Sequence, residues 1–366
     1  MTSVIIVGAG VIGLMTAIEL QRAGARVTLV DRQQAGRESS WAGGGILSPL
    51  FPWRYPDPVS RLARMSQHIY PQLIEELRRD TGVDPEYLPS GMLVLGGYDE
   101  EEPEAWARRF EVNMQAVRGD KIRQLEPGLA RGHDRGWWFP EVHQARNPRL
   151  LALLRAWVER SEIELVENLP VDSIRIEGGR ATGVRAGSRE LRAERIVIAS
   201  GAWSAGLLDP LDCTTGIEPV RGQMLLLKSS PGQVRHILLS EDRYIIPRRD
   251  GRVLVGSTTE RVGFDKSVSA EVRESLLEYA LRTLPGLSDA ELEHQWSGLR
   301  PGSPDGIPAI GEHPRIEGLF INAGHYRNGL VMAPASARLL TDLLLKRTAC
   351  LPPADYAPCD AVHKKN

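Results

Sequence analysis

Gly8, Gly10, Gly13 and Asp31 have the types and spacing to hold a dinucleotide. In Gly8-Ala9-Gly10-Val11-Ile12-Gly13 the first glycine permits a tight turn and the second lets backbone approach a pyrophosphate. The third lets a helix pack close to a strand. An acid about 20 residues further on is placed for a ribose 2′-hydroxyl. A second concentration lies toward the C-terminus: Gly298-Leu299-Arg300-Pro301-Gly302-Ser303-Pro304-Asp305-Gly306, then Gly324-His325-Tyr326-Arg327-Asn328-Gly329. Backbone N–H groups and a helix start in the latter run would stabilise a ligand that becomes negative during reaction, as a reduced flavin does at its N1–C2=O2 edge. The same glycines also suit a plain strand-to-helix loop.

The flanking residues supply the elements that must hold these groups. Val4-Ile5-Ile6-Val7 is a β-branched strand entering the glycine turn, an apolar helical pattern runs to Gly24, and a second strand, 26–30, closes on Asp31. This strand–turn–helix–strand frame is what raises a bare glycine motif to a dinucleotide site, with the helix N-terminus facing the phosphates. Residues 195–200, RIVIAS, read as a buried strand of the same parallel sheet, and 319–322 as another buried strand. Asn147-Pro148 opens a helix, Gly178-Gly179 centres a hairpin, and 335–346 forms a helix with Pro334 in its first turn. Residues 91–95, 220–228 and 243–256 read as strands of an antiparallel substrate domain, the last folded back at Arg249-Asp250-Gly251. The two sets interleave. The expected division is a dinucleotide-binding unit of 1–85, 140–215 and 300–366 and a substrate unit of 86–139 and 216–299. Residues beyond Pro352 read as a loosely held tail.

Composition narrows the function classes. The 366 residues carry a formal charge of −2 with 25% charged side chains, which gives no electrostatic case for nucleic acid or an anionic membrane. Cys213, Cys350 and Cys359 lack metal-ligand spacing and favour a reducing compartment. No run approaches ~18 uninterrupted apolar residues, and the glycine-broken N-terminus has no signal-peptide pattern. The chain reads as cytoplasmic, with no metal, nucleic-acid or membrane partner.

Six ordered blocks then carry a resemblance over nearly the whole chain: VIIVGAGVIGLMTAIEL from Val4, SSWAGGGIL at 39–47, RIVIASGAWS at 195–204, RYIIPRRDGRVLVGST at 243–258, WSGLRPGSPDGIPAIG at 296–311 and AGHYRNGLVMAP at 323–334. The sequence resembles the FAD-dependent D-amino acid oxidase superfamily, and within it the glycine oxidase family of bacterial thiamine biosynthesis. The resemblance implies an α/β FAD-binding Rossmann-like domain joined to an α+β substrate domain with a large antiparallel sheet. It also implies a homo-oligomer that deaminates glycine, and secondarily sarcosine and small D-amino acids. In that chemistry hydride passes from the substrate Cα to flavin N5, the imine is released for the thiazole of thiamine or hydrolysed to glyoxylate and ammonia, and oxygen becomes hydrogen peroxide. Two rival readings remain: a D-amino acid dehydrogenase passing electrons to a quinone, and a non-catalytic FAD-stabilised binding protein.

The resemblance also assigns residues. Val11, Ile12, Asp31 and Arg32 hold the pyrophosphate and adenosine, joining Gly8, Gly10 and Gly13. Ser39, Ser40, Gly44, Gly45 and Ile46 line the path to the flavin, and Val171 meets the adenine region through its backbone. His325, Tyr326, Arg327, Asn328, Gly329, Leu330 and Val331 wrap the isoalloxazine. Arg300 is the substrate-carboxylate anchor, helped by Arg327 and Tyr244. A guanidinium offers paired donors that match both carboxylate oxygens. Each assignment has a plainer alternative: an ion pair locking the loop for Arg300, a backbone role for Arg327, a sheet-face tyrosine for Tyr244. His325 shapes the flavin loop or acts as a base, and the chemistry needs no side-chain base once the amine is neutral. Some relatives, the sarcosine oxidases, attach flavin to a cysteine near the C-terminal flavin segment. No cysteine lies between Cys213 and Cys350, so FAD is expected to be non-covalent. Trp41 and the 43–45 glycines, with Thr259 near the mouth, leave room for a side chain larger than hydrogen.

Overall fold

The computed structural model describes residues 1–96 and 101–358. Its first strand, Ser3–Val7, lies inside a six-stranded sheet and pairs in parallel with Arg26–Val30 on one side and Arg195–Ile198 on the other. Leu319–Ala323 continues the parallel run and Ala309–Glu312 closes the edge antiparallel. Both faces are buried, which is why these strands read as continuous apolar runs. Val4 and Ile6 point into one core with Leu62, Leu150 and Leu340, from helices Asp57–Thr81, Asn147–Arg160 and Gly329–Leu344. Ile5 and Val7 point into another, shared with Ile174 and Val184 of the hairpin Ser173–Glu177/Arg180–Ala186.

The second layer is an eight-stranded sheet drawn from residues between Met92 and Gly302. It is antiparallel except where Ile237–Ser240 pairs in parallel with Met92–Leu95. Alternation along the strands sorts its two faces. Leu225, Ile245 and Val255 pack on helix Ala270–Thr283, whereas Met224, Tyr244 and Ile246 face the opposite way, toward Leu50 and Trp137. The predicted turn at Arg249-Asp250-Gly251 joins Arg243–Pro247 to Arg252–Gly256.

Two expectations change. The C-terminal helix begins at Gly329, so Pro334 lies in its interior rather than its first turn. A proline there strips the Leu330 carbonyl of its helical donor, and the Tyr70 hydroxyl donates to that carbonyl instead, at 2.5 Å. The neighbouring Ala335 N–H is taken by Ser66 Oγ at 3.0 Å. Helix Asp57–Thr81 thus repairs the break, a long-range solution that a local reading does not see. The segment after Pro352 is docked as far as it is described: Tyr356 is buried and donates to the Pro58 carbonyl at 2.8 Å, and Asp355 pairs with Arg61 at 2.7 Å. Cys350 is free and half-buried, while Cys359 lies outside the described residues. Among the described residues no helix is long and apolar enough to cross a membrane.

Candidate active site

A cavity of about 490 Å³ opens at the carboxyl ends of the parallel strands, where α/β sheets bind ligands, and the inner face of the large sheet forms its far wall. At the sheet end the glycine turn is built by close approach. Gly8 has φ +108°, and a Cβ there would meet the Ala199 carbonyl oxygen at 2.4 Å; a Cβ on Gly13 would lie 1.8 Å from the Gly8 oxygen. Gly13 therefore acts beneath the cavity, while Gly8, Gly10, Val11 and Ile12 line it. Asp31 caps the turn from the neighbouring strand, its carboxylate accepting from Ala9 N–H at 2.7 Å and Gln33 N–H at 2.9 Å. Burial raises its pKa, and those two backbone donors oppose the rise.

Ser40 stands over the start of helix Val11–Arg22, its Oγ accepting from Val11 N–H at 2.9 Å. Ser39, Gly44, Gly45 and Ile46 continue this wall. Arg32 and Val171 lie at the other end, where the Arg32 guanidinium sits 3.5 Å from the centroid of the Trp203 ring and pairs with Glu38 at 2.6 Å. The third side is the loop after Leu319–Ala323. His325, Tyr326, Arg327, Gly329 and Leu330 line the cavity there, whereas the buried Asn328 and Val331 stand behind them. His325 shares a 3.0 Å hydrogen bond with Ser336 Oγ, and burial pushes its pKa down to about 3. Burial and the Ser336 bond favour the loop-shaping role over that of a base.

Arg300 projects from strand Glu291–Gly302 into the far wall. Nη1 donates to the Thr258 carbonyl at 3.0 Å and Nη2 to Ser257 Oγ at 2.7 Å. Among the described residues no carboxylate pairs with it, so the loop-locking ion pair is absent there. Its guanidinium lies flat against Gly222, where a Cβ would come within 2.2 Å of both Nη atoms. Burial lowers its pKa; the Tyr244 hydroxyl beside it opposes this, and Arg327 adds to it. The Tyr244 hydroxyl also contacts Met224 Sδ at 3.6 Å. Among the described residues Arg327 makes one long bond, 3.4 Å, to the Asp242 carbonyl.

Four contributors escaped the sequence reading. Asn147 donates to the Ser40 carbonyl at 2.6 Å, and its buried Oδ1 has no partner. Asn322 Oδ1, also on the cavity wall, is likewise unpartnered. Tyr55 lies beside Asn328 and Arg327, and burial raises its phenol pKa. Gly222 is the floor under Arg300. A glycine inside the strand Glu218–Lys228, between Val220 and the apolar run 224–227, is a signal of close approach that could have been found.

The cavity fits FAD on its own features: a helix N-terminus and glycine cradle for a pyrophosphate, a half-buried acid for a ribose, and two orphaned amide oxygens awaiting donors. At the other end the Arg300 guanidinium has two neutral partners and, among the described residues, no carboxylate; together these are the features of a flavoenzyme site. The comparisons agree. The family model described as FAD dependent oxidoreductase, DAO, matches residues 3–343, and the chain belongs to this family of FAD-dependent oxidoreductases. Its relatives include the glycine oxidase of Pseudomonas aeruginosa, 47% identical over 97% of this chain and 98% of that protein. The bifunctional protein ThiO/ThiG of Synechocystis is 33% identical over 94% of this chain and 52% of its own length. The crystal structure of glycine oxidase from Geobacillus kaustophilus superposes with a TM-score of 0.91 at 30% identity, covering 98% of both chains. The chain is an FAD-dependent amino acid oxidase of the glycine oxidase type.

Proposed function

We propose that the protein oxidises glycine, with sarcosine and small D-amino acids as secondary substrates, by the balanced reaction glycine + O2 + H2O → glyoxylate + NH3 + H2O2. The imine formed before hydrolysis would supply the thiazole of thiamine, a reading supported by the ThiO/ThiG relative. The observation that carries the substrate class is the Arg300 guanidinium, which lines the cavity with two neutral partners and, among the described residues, no paired carboxylate. The FAD that this cavity would hold would supply the two-electron acceptor for the substrate Cα and the route to oxygen.

The chain's own residues bind and orient. Arg300 takes the carboxylate with its fork, while Tyr244 and Arg327 supply a hydroxyl and a second positive charge beside it. The N–H groups at the start of helix Val11–Arg22 and the Asp31 carboxylate hold the adenosine diphosphate end. Backbone N–H groups around Gly329 and the helix Gly329–Leu344 stabilise negative charge on the ring. Non-covalent FAD is supported by the cavity lining, which among the described residues includes no cysteine. The interleaved strands support the division into units 1–85, 140–215 and 300–366 against 86–139 and 216–299, and the reading extends to a cytoplasmic homo-oligomer. A peroxide-coupled panel of glycine, sarcosine, D-alanine, D-proline and methylamine tests the reading. Turnover of the amino acids but not of methylamine is expected, and equal turnover of methylamine would overturn the carboxylate anchor.

A further inference from the structure

Arg300 owes its aim to groups one layer further from the cavity. Its Nη1 is held by the Thr258 main-chain oxygen. The Thr258 side chain is fixed in turn, because its Oγ1 accepts from Gln223 N–H at 2.9 Å and donates to Glu260 Oε1. Glu260 is clamped by Arg221, whose Nη2 and Nε reach Oε2 at 2.6 and 3.2 Å, and by Gln223 Nε2 at 3.1 Å. Main-chain bonds of 2.9 Å run both ways between Arg221 and Glu260. Arg221 itself is buried. The effect is selective. Glu260 lies two residues from Thr258, yet it is saturated by Arg221, Gln223 and Thr258, and so does not pair with Arg300. With its hydroxyl occupied on that side, Thr258 turns its carbonyl toward the guanidinium, a neutral acceptor that orients the charge without cancelling it.

We propose that Glu260 and Thr258 are positioning residues that aim Arg300 at the substrate carboxylate. This rests on the carboxylate reading above. A misaimed Arg300 loses binding shared by ground state and transition state, so the effect belongs mainly in KM rather than kcat. The test uses the FAD-loaded enzyme, glycine kinetics, and titration with acetate, a carboxylate without an amine, followed by flavin absorbance. Glu260→Ala and Thr258→Val are each expected to raise glycine KM and acetate Kd about 10-fold, the scale of one lost charge-assisted bond. Thr258→Ser, which keeps the hydroxyl, should recover most of that affinity. In an Arg300→Ala background Glu260→Ala should add less than about 2-fold, because the two act as one unit. An undiminished effect of Glu260→Ala in that background would overturn the proposal, as would a loss of kcat and melting temperature with KM unchanged. A parent enzyme that binds neither glycine nor acetate would overturn the carboxylate reading and this relay with it. A parent that binds both, with Glu260→Ala binding them equally well, would overturn the relay alone.

Discussion

Replacing Gly222 by alanine leaves every polar group of the site intact and moves only one of them. The added Cβ would sit 2.2 Å from both Nη atoms of Arg300 and 2.4 Å from Cζ. Ordinary contact begins near 3.4 Å, so the guanidinium must retreat by about 1.2 Å, a shift that can cost ~100-fold when it misplaces a reacting partner. Because the clashing atoms are the end of a flexible side chain, the fold tolerates the change. The bonds to the Thr258 carbonyl at 3.0 Å and Ser257 Oγ at 2.7 Å do not survive such a retreat. Two hydrogen bonds at about 0.5–1.5 kcal/mol each give about 1–3 kcal/mol, or roughly 5- to 150-fold in glycine kcat/KM. Peroxide-coupled kinetics, FAD occupancy and melting temperature on one preparation separate the effects: occupancy and melting should stay near parental while kcat/KM falls. Parental kinetics in Gly222→Ala would refute the reasoning, since Arg300 would then not need the place it occupies.

Removing the anchor outright, as in Arg300→Ala, should cost roughly 2–5 kcal/mol in substrate capture, or about 30-fold to more than 1000-fold, with FAD retained. Arg300→Lys should recover only part of this, because a point charge lacks the fork; glycine kinetics beside flavin absorbance check both. Asp31→Ala removes the acceptor for Ala9 and Gln33 N–H and the ribose partner together. It should weaken FAD binding by roughly 10- to 150-fold, the scale of ~1.5–3 kcal/mol for a bond to a charged group, read by titrating the apoprotein. His325 gives a pH signature. Its pKa in the fold is lowered to about 3 from the 6.5 of an unperturbed imidazole, so below pH 6.5 the unfolded chain takes up a proton that the folded chain refuses. Stability should therefore fall by up to about 1.4 kcal/mol per unit as pH drops from 6.5 toward 3. His325→Gln should flatten denaturant midpoints over that window by one proton; an unchanged slope would contradict the assignment.

What could be read from the sequence follows from where the determinants lie. The dinucleotide unit was legible because Gly8, Gly10, Gly13 and Asp31 act within one stretch whose strands and helix are set locally. The loop from Gly324 to Leu330 was legible for the same reason, and its residues meet the first stretch across one cavity. Pro334 misled because local rules start a helix at proline, while the native solution uses Tyr70 and Ser66 of a distant helix. Asn147, which grips the Ser40 carbonyl, was visible only as a helix-opening residue, since its partner is far away in sequence. Arg300 could be nominated by type and by resemblance. Its lack of a carboxylate partner among the described residues, its glycine floor and its Thr258 carbonyl depend on the register of Val220 with Arg300 and of Gly222 with Gly298. Such cross-strand geometry appears only once the sheet is assembled.

The central claim is that this chain joins an FAD site to a carboxylate anchor so that glycine is oxidised at the expense of oxygen. The most direct measurement mixes FAD-loaded protein with glycine under anaerobic conditions, follows flavin absorbance, and then admits air while counting glyoxylate and peroxide. The account predicts loss of the oxidised-flavin absorbance with glycine, its return in air, and one peroxide for each glyoxylate. Flavin that stays oxidised with glycine, sarcosine and D-alanine alike would contradict it, as would reduced flavin that air leaves unchanged and a quinone reoxidises.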